Sequence, residues 1–123
     1  MLTIQNPSHD PFYNQAFEEY IYQTFLDDDI FLLWQNSPSV IVGCYQNICR
    51  EVHVESLRRR GIPVVRRMTG GGTVYHDSGN INYTYIIRTN GTLNYDDVLT
   101  PVISALNTLG EKHPKLLFVE FCE

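Results

Sequence analysis

The chain has 123 residues, of which 43% are apolar, 12% aromatic and 19% charged. That length and apolar share support one domain with its own core, and exclude a disordered, collagen-like or disulfide-rich chain. Nine Lys and Arg against fourteen Asp and Glu leave a formal charge of −5, which argues against a general grip on nucleic acid, where cations must be in excess. The start, MLTIQNPSHD, has neither the basic nor the apolar stretch of a signal peptide. No apolar run nears the ~20 residues of a membrane span. A soluble cytoplasmic protein is expected. Cys44, Cys49 and Cys122 are odd in number, match no zinc spacing, and read as thiols in a reducing compartment.

A first helix is predicted from Asp10-Pro11, where Asp10 caps free amides and Pro11 suits the first helical position. Ala16, Phe17, Tyr20, Ile21 and Thr24 fall at helical spacing as its inner face. Asn14, Gln15, Glu18, Glu19 and Gln23 are expected outside. Ile30–Trp34 and Ser39–Gly43 then read as a hairpin of buried strands around Asn36-Ser37-Pro38. A short helix over Val54–Arg60 stops at Gly61, and Ile62–Val65 is another strand.

Thr73–His76 and Asn80–Ile87 are predicted to pair through the turn Asp77-Ser78-Gly79. A last helix runs from about Asn94, its cap, to Leu109, with Asp96 and Asp97 in the positive first turn. Its apolar stripe is Val98, Leu99, Val102, Ile103, Leu106 and Leu109, Pro101 should kink or restart it, and Gly110 closes it. Helices interrupting strands, without repeats or linkers, indicate an α+β domain on a mixed sheet.

The chemistry concentrates in residues 65–80, VRRMTGGGTVYHDSGN. Gly70, Gly71 and Gly72 lie between two strand patterns, where three glycines are costly in chain entropy. Such a run lets main-chain amides approach an anion, and Arg66 and Arg67 upstream bring guanidinium forks. No G-x-x-x-x-G-K-[ST] and no helix-opening G-x-G-x-x-G is present. The residues alone therefore fit either an anion-binding loop at a sheet edge or a tight glycine turn beside two solvated arginines. His76-Asp77 is either a substrate-orienting or proton-transferring pair, or a turn Asp beside an ordinarily hydrogen-bonded His. Gln46-Asn47 either lines the same sheet end or serves as turn and cap.

As a whole, Arg66-Arg67-x-x-Gly70-Gly71-Gly72-x-Val74-Tyr75-His76-Asp77-x-Gly79-Asn80 resembles the signature of the lipoate–protein ligase family. The likeness extends upstream through the Asn14–Glu19 helix and through Ser39–Gly43 with Gln46-Asn47, and downstream to Gly110, covering about residues 8–110. It implies the α+β fold shared by biotin and lipoate protein ligases, related to class II aminoacyl-tRNA synthetases: a mixed β-sheet flanked by helices. It also implies ATP-dependent activation of lipoate to lipoyl-AMP, usually with Mg2+. The acyl group is then transferred to a lysine of lipoyl carrier domains in two-oxoacid dehydrogenases or of the glycine-cleavage H protein.

By matching position, the resemblance puts Arg67, Gly72, Thr73, Val74 and Tyr75 at the nucleotide, with Arg67 holding the carboxylate and α-phosphate. It puts Gly70, Gly71 and His76 at the lipoate pocket, and gives supporting roles to Arg66, Asp77, Asn80, Gln46 and Asn47, with no metal ligand. Two related readings stand beside it: an octanoyl or lipoyl transferase of the same fold, or a non-catalytic fragment that binds lipoate or its adenylate.

The resemblance also implies a downstream lysine in a Lys-hydrophobic-Ser-Gly pattern, and neither Lys112 nor Lys115 matches. Residues 111–123 diverge from the family. The expectation is the N-terminal part of a catalytic domain, truncated or frame-shifted near Gly110, with impaired ligation, a missing C-terminal segment and an open sheet edge prone to self-association.

Overall fold

The computed structural model describes residues 1–25, 27–87, 91 and 94–110. Along the chain it has β1 (Leu2–Gln5), α1 (Pro11–Thr24), β2 (Ile30–Trp34), β3 (Ser39–Val42), α2 (Ile48–Glu51), α3 (Val54–Arg59), β4 (Val64–Arg66), β5 (Val74–His76), β6 (Asn82–Ile86) and α4 (Tyr95–Thr108). Residues 111–123, with Lys112, Lys115 and Cys122, lie outside the described residues.

The strands form two mixed sheets. In the order β1-β2-β6, β2 pairs parallel with β1 and antiparallel with β6. In the order β4-β3-β5, β3 pairs parallel with β4 and antiparallel with β5. All four residues of β3 are buried, as a central strand covered on both faces requires. The α+β expectation with mixed pairing holds, as two sheets instead of one.

Both expected hairpins are replaced. Residues 35–38 carry the chain from β2 in one sheet to β3 in the other, and residues 77–81 carry it back from β5 to β6. Turn chemistry specifies that a chain bends, not which strand it then meets. The two crossings are laced together: Gln35 Nε2 donates to Ser78 O at 2.6 Å, and Asn36 Nδ2 lies 3.1 Å from His76 Nδ1.

Helix α1 starts as its sequence dictates, with Asp10 accepting from the amides of Phe12 and Tyr13 and Pro11 leading. Its inner face is another correction. Asn14, Gln15 and Glu18 are buried together with Ile21, whereas Ala16 and Tyr20 are exposed. Ile21 packs with Ile30 and Ile86, flanked by Ile4, Phe17 and Tyr22. For Asn14 and Glu18 specific partners compensate the burial of polar groups, whereas among the described residues the buried Gln15 amide has no hydrogen-bond partner. Asn14 Nδ2 donates to Ser8 O, Gln35 O and Asn36 Oδ1, and its Oδ1 accepts from Asn6. Thr84 Oγ1 donates to Glu18 Oε1 and accepts from Trp34 Nε1 at 3.0 Å. Hydrophobic periodicity misplaces this face because partners 22 to 66 residues away select it.

Asn47 caps α2, His53 caps α3 and Asn94 caps α4. Gly61 and Gly110 take positive φ at helix ends, as expected. Helix α4 continues through Pro101 instead of restarting there, without the bond that an N–H at that position would make. Val98 anchors it, and Leu109 at the end of its stripe is 80% exposed. Among the described residues no helix is long and apolar enough to cross a membrane.

Candidate functional site

Because β3 and β4 are parallel, both release the chain at the same end of their sheet, and β5 re-enters there. Two loops consequently meet, residues 43–47 and 67–73. Main-chain bonds join them at their roots: Arg67 N donates to Val42 O at 3.0 Å and Cys44 N to Thr69 O at 2.9 Å. Gly43 is the point of closest approach. A Cβ there would sit 2.3 Å from Gly71 O, so only glycine lets the loops touch.

Side chains fasten the contact. Gln46 Oε1 accepts from Gly43 N at 2.9 Å and from Thr73 Oγ1 at 2.8 Å. Asn47 turns outward as a cap, accepting from Cys49 N. Of the two readings of this pair, Gln46 is a brace within the site and Asn47 a helix cap. Arg66 Nη1 donates to Gly43 O, Cys44 O and Gln46 O at 2.8, 3.1 and 2.8 Å, clamping the first loop.

Arg67 is only 3% exposed, and its guanidinium lies under the second loop. Nη2 donates to Gly70 O and Gly72 O, each at 2.7 Å, and Nε donates to Gly70 O at 3.0 Å. The sequence suggests a fork presented to a ligand; here Nε and Nη2 hold the loop's own carbonyls. In a trans peptide the N–H points opposite its carbonyl. Drawing Gly70 O and Gly72 O toward Arg67 therefore turns the amides of Gly71 and Thr73 away from it. Among the described residues, the N–H groups of Gly70, Gly71, Gly72 and Thr73 donate to no other group of the chain. Four unpartnered donors over a buried cation, those of Gly71 and Thr73 turned away from it, make a cradle for anionic oxygen.

The three glycines are not equivalent. Gly71 has φ +93°, and a Cβ on it would lie 2.8 Å from Arg67 Nη2. Gly70 and Gly72 would meet nothing within 4 Å. No internal packing requires their bareness; it leaves the main chain open to whatever approaches from outside.

Beyond the loop, Val74 is half-buried, Tyr75 exposed and His76 buried. The Trp34 ring contacts the His76 ring edge-on, with centroids 5.8 Å apart. Asp77 shapes the turn, accepting from Gly79 N at 2.8 Å while its carbonyl accepts from Asn80 N at 3.1 Å. Asp77 and Asn80 thus fix a crossing between sheets in place of the expected hairpin turn. Cys44 is half-buried, Cys49 exposed, and both are free thiols. No three His, Cys, Asp or Glu side chains converge among the described residues.

Burial, and next the Arg67 charge, push His76 below its ordinary value of 6.5, against a smaller opposing pull from Asp77. The unfolded chain takes up this proton at a higher pH than the folded chain does. The stability that His76 contributes is therefore full above pH 6.5 and declines as pH falls through 6.5 toward the depressed folded value. Denaturation midpoints of wild type and His76→Gln across this range should converge as the solution is acidified. A difference constant with pH would contradict it.

Sequence reasoning overlooked Gly43, Trp34 and Asn36. A glycine closing a buried strand was the available signal for the first; the other two act through contacts 40 or more residues away.

A family model, the lipoyl protein ligase A/B catalytic domain, matches residues 10–115. The lipoate-protein ligase LplJ of Bacillus subtilis is 41% identical over 114 residues, 89% of this chain and 34% of the relative. The human mitochondrial lipoyl amidotransferase LIPT1 is 39% identical over 110 residues, 88% and 29%. Among solved structures, P. falciparum LipL1 in complex with lipoate superposes with TM-score 0.78 at 27% identity, covering 87% of this chain and 35% of that one. A lipoate-protein ligase A bound with ATP gives TM-score 0.73 at 30% identity, covering 89% and 46%. The Thermoplasma acidophilum bi-partite ligase, described with its E2 lipoyl domain, gives 0.70 at 29%, covering 89% and 44%. The chain spans about a third of the length of these curated relatives.

Proposed function

We propose, on the premise that this chain belongs to the lipoyl protein ligase A/B catalytic domain family, that it carries the acyl- and nucleotide-binding part of a lipoate–protein ligase. In that reaction a lipoate carboxylate oxygen attacks the α-phosphorus of ATP and expels pyrophosphate. The lysine amine of a carrier domain then attacks the acyl carbon of the mixed anhydride and releases AMP. Relatives crystallised with lipoate and with ATP, and one described with a lipoyl domain, support this choice of substrates and partner.

The observation that carries the reading is the row of unpartnered amides from Gly70 to Thr73 above the buried Arg67 guanidinium. Two anions must be brought together for adenylation, and fixed N–H dipoles with a cation beneath reduce their repulsion without reorganising. Arg67 acts here by shaping the loop and by its charge. Gly72, Thr73, Val74 and Tyr75 follow the nucleotide. Gly70, Gly71 and His76 border the acyl chain, while Arg66, Gln46, Asn47, Asp77 and Asn80 keep the two loops in register.

Titration of the chain with a non-hydrolysable lipoyl-AMP analogue tests this directly. Saturable binding that weakens at least tenfold in Gly70→Ala is the expected result; no binding overturns the reading. Lipoate-dependent ATP–pyrophosphate exchange measures the first step separately. The identity to a lipoyl amidotransferase keeps a transferase of the same fold as the alternative, and acyl transfer to a carrier lysine without ATP would favour it.

A further inference from the structure

The amide orientations along one buried row can be assigned from acceptors that have no alternative role. Asn14 donates to the main-chain carbonyls of Ser8 at 3.1 Å and Gln35 at 2.9 Å. Carbonyls only accept, so the atom facing them is nitrogen and the amide cannot be flipped. The same Nδ2 lies 2.8 Å from Asn36, which fixes that atom as Oδ1. Asn36 must therefore present its Nδ2 to His76, 3.1 Å from ring Nδ1. At the far end Asn14 Oδ1 accepts from Asn6 Nδ2, and Asn6 Oδ1 accepts from Ser8 N, so each bond agrees in direction.

An N–H donor facing Nδ1 needs a lone pair there, and the ring proton is left for Nε2. A second row grips the same imidazole through Trp34, whose indole N–H is held by Thr84, and Thr84 in turn by Glu18. Asn14 and Glu18 are one turn apart on α1, and both are 1% exposed. The polar inner face of this helix thus ends, by two routes, on one ring.

We propose that Asn14 and Asn36 are positioning residues that hold His76 as the neutral Nε2–H tautomer, a hydrogen-bond donor at the acyl side of the site. The tautomer follows from the hydrogen-bond row; the acyl side rests on the function proposed above. A ring held this way has no lone pair at Nε2 and does not act as a general base from that nitrogen. The charged neighbours are Arg67 from the end of β4 and Asp77 next in the chain, and burial with Arg67 outweighs Asp77.

Ring-nitrogen spectra of the nitrogen-15-labelled chain test this. Wild-type His76 should show a protonated Nε2 and an unprotonated Nδ1, and should still do so when the solution is brought just below pH 6.5. Asn36→Asp replaces the donor with an acceptor and should move the proton to Nδ1 and raise the titration relative to wild type. A wild-type Nδ1–H form overturns the proposal even if the variant fails to fold. Adding lipoate separates the two levels. A shifted Nε2 signal supports the donor role at the acyl side, whereas a correct tautomer indifferent to lipoate overturns that placement and leaves the tautomer standing.

Discussion

Replacing Gly43 by alanine should destabilise the chain by about 3 kcal/mol and abolish adenylate binding, an effect out of proportion to one methyl group. The added Cβ would fall 2.3 Å from Gly71 O, and the obstructing atom is main chain, with no rotamer to escape into. Either the end of β3 or the glycine loop must move, and Gln46 and Arg66 tie the first of these in place. Gly70→Ala and Gly72→Ala are the matched controls, since their Cβ atoms would enter open space. They should unfold within about 0.5 kcal/mol of wild type yet bind the lipoyl-AMP analogue poorly. Denaturant unfolding and calorimetric titration of the three variants separate the two roles. Equal stability losses in all three would refute the distinction.

Arg67→Ala should cost about 3–5 kcal/mol, because it removes the charged donor of Gly70 O and Gly72 O and leaves a cavity beneath the loop. Arg67→Lys keeps a positive charge but not the planar fork that serves two carbonyls at once, and should recover less than half of that loss. The neighbouring Arg66→Ala should cost only about 1 kcal/mol: its side chain is exposed, and water can replace it at the carbonyls of Gly43, Cys44 and Gln46. Denaturation curves would show the contrast between adjacent arginines. Comparable losses at both positions would mean that the glycine loop does not depend on the cation beneath it.

What could be read from residue order alone is what local chemistry determines. Asp10, Asn94, Gly61 and Gly110 act on neighbours within a few positions, so caps and helix ends were legible. The glycine–arginine motif was legible as a candidate site because its members are contiguous. The direction of Arg67 was not, since it depends on how Gly70 and Gly72 fold back over it. Strand partners were misassigned at both crossings because Asn36-Ser37-Pro38 and Asp77-Ser78-Gly79 satisfy hairpin and sheet-to-sheet connections equally well. Strand β1 was overlooked: four mostly exposed residues carry little periodic signal, and the strand exists through its parallel pairing with β2. Asn14 and Glu18 resemble surface residues until Asn36 and Thr84 arrive from far along the chain.

The pairing of β2 with β6 also orders events during synthesis. Ile30 lies opposite Ile86, so everything from residue 35 to 81, including both loops of the site, is an insert clasped between two strands that meet last. A nascent chain that has only reached the glycines has no partner for the outer edge of β2, and that edge remains a template for foreign strands. Closure comes when residues 82–86 emerge, and the same step seats Thr84 between Trp34 and Glu18. Covering that edge of β2 and seating Thr84 are therefore one event, which passes the outer position of the sheet to β6, and slow elongation just before residue 82 would prolong the exposure of β2.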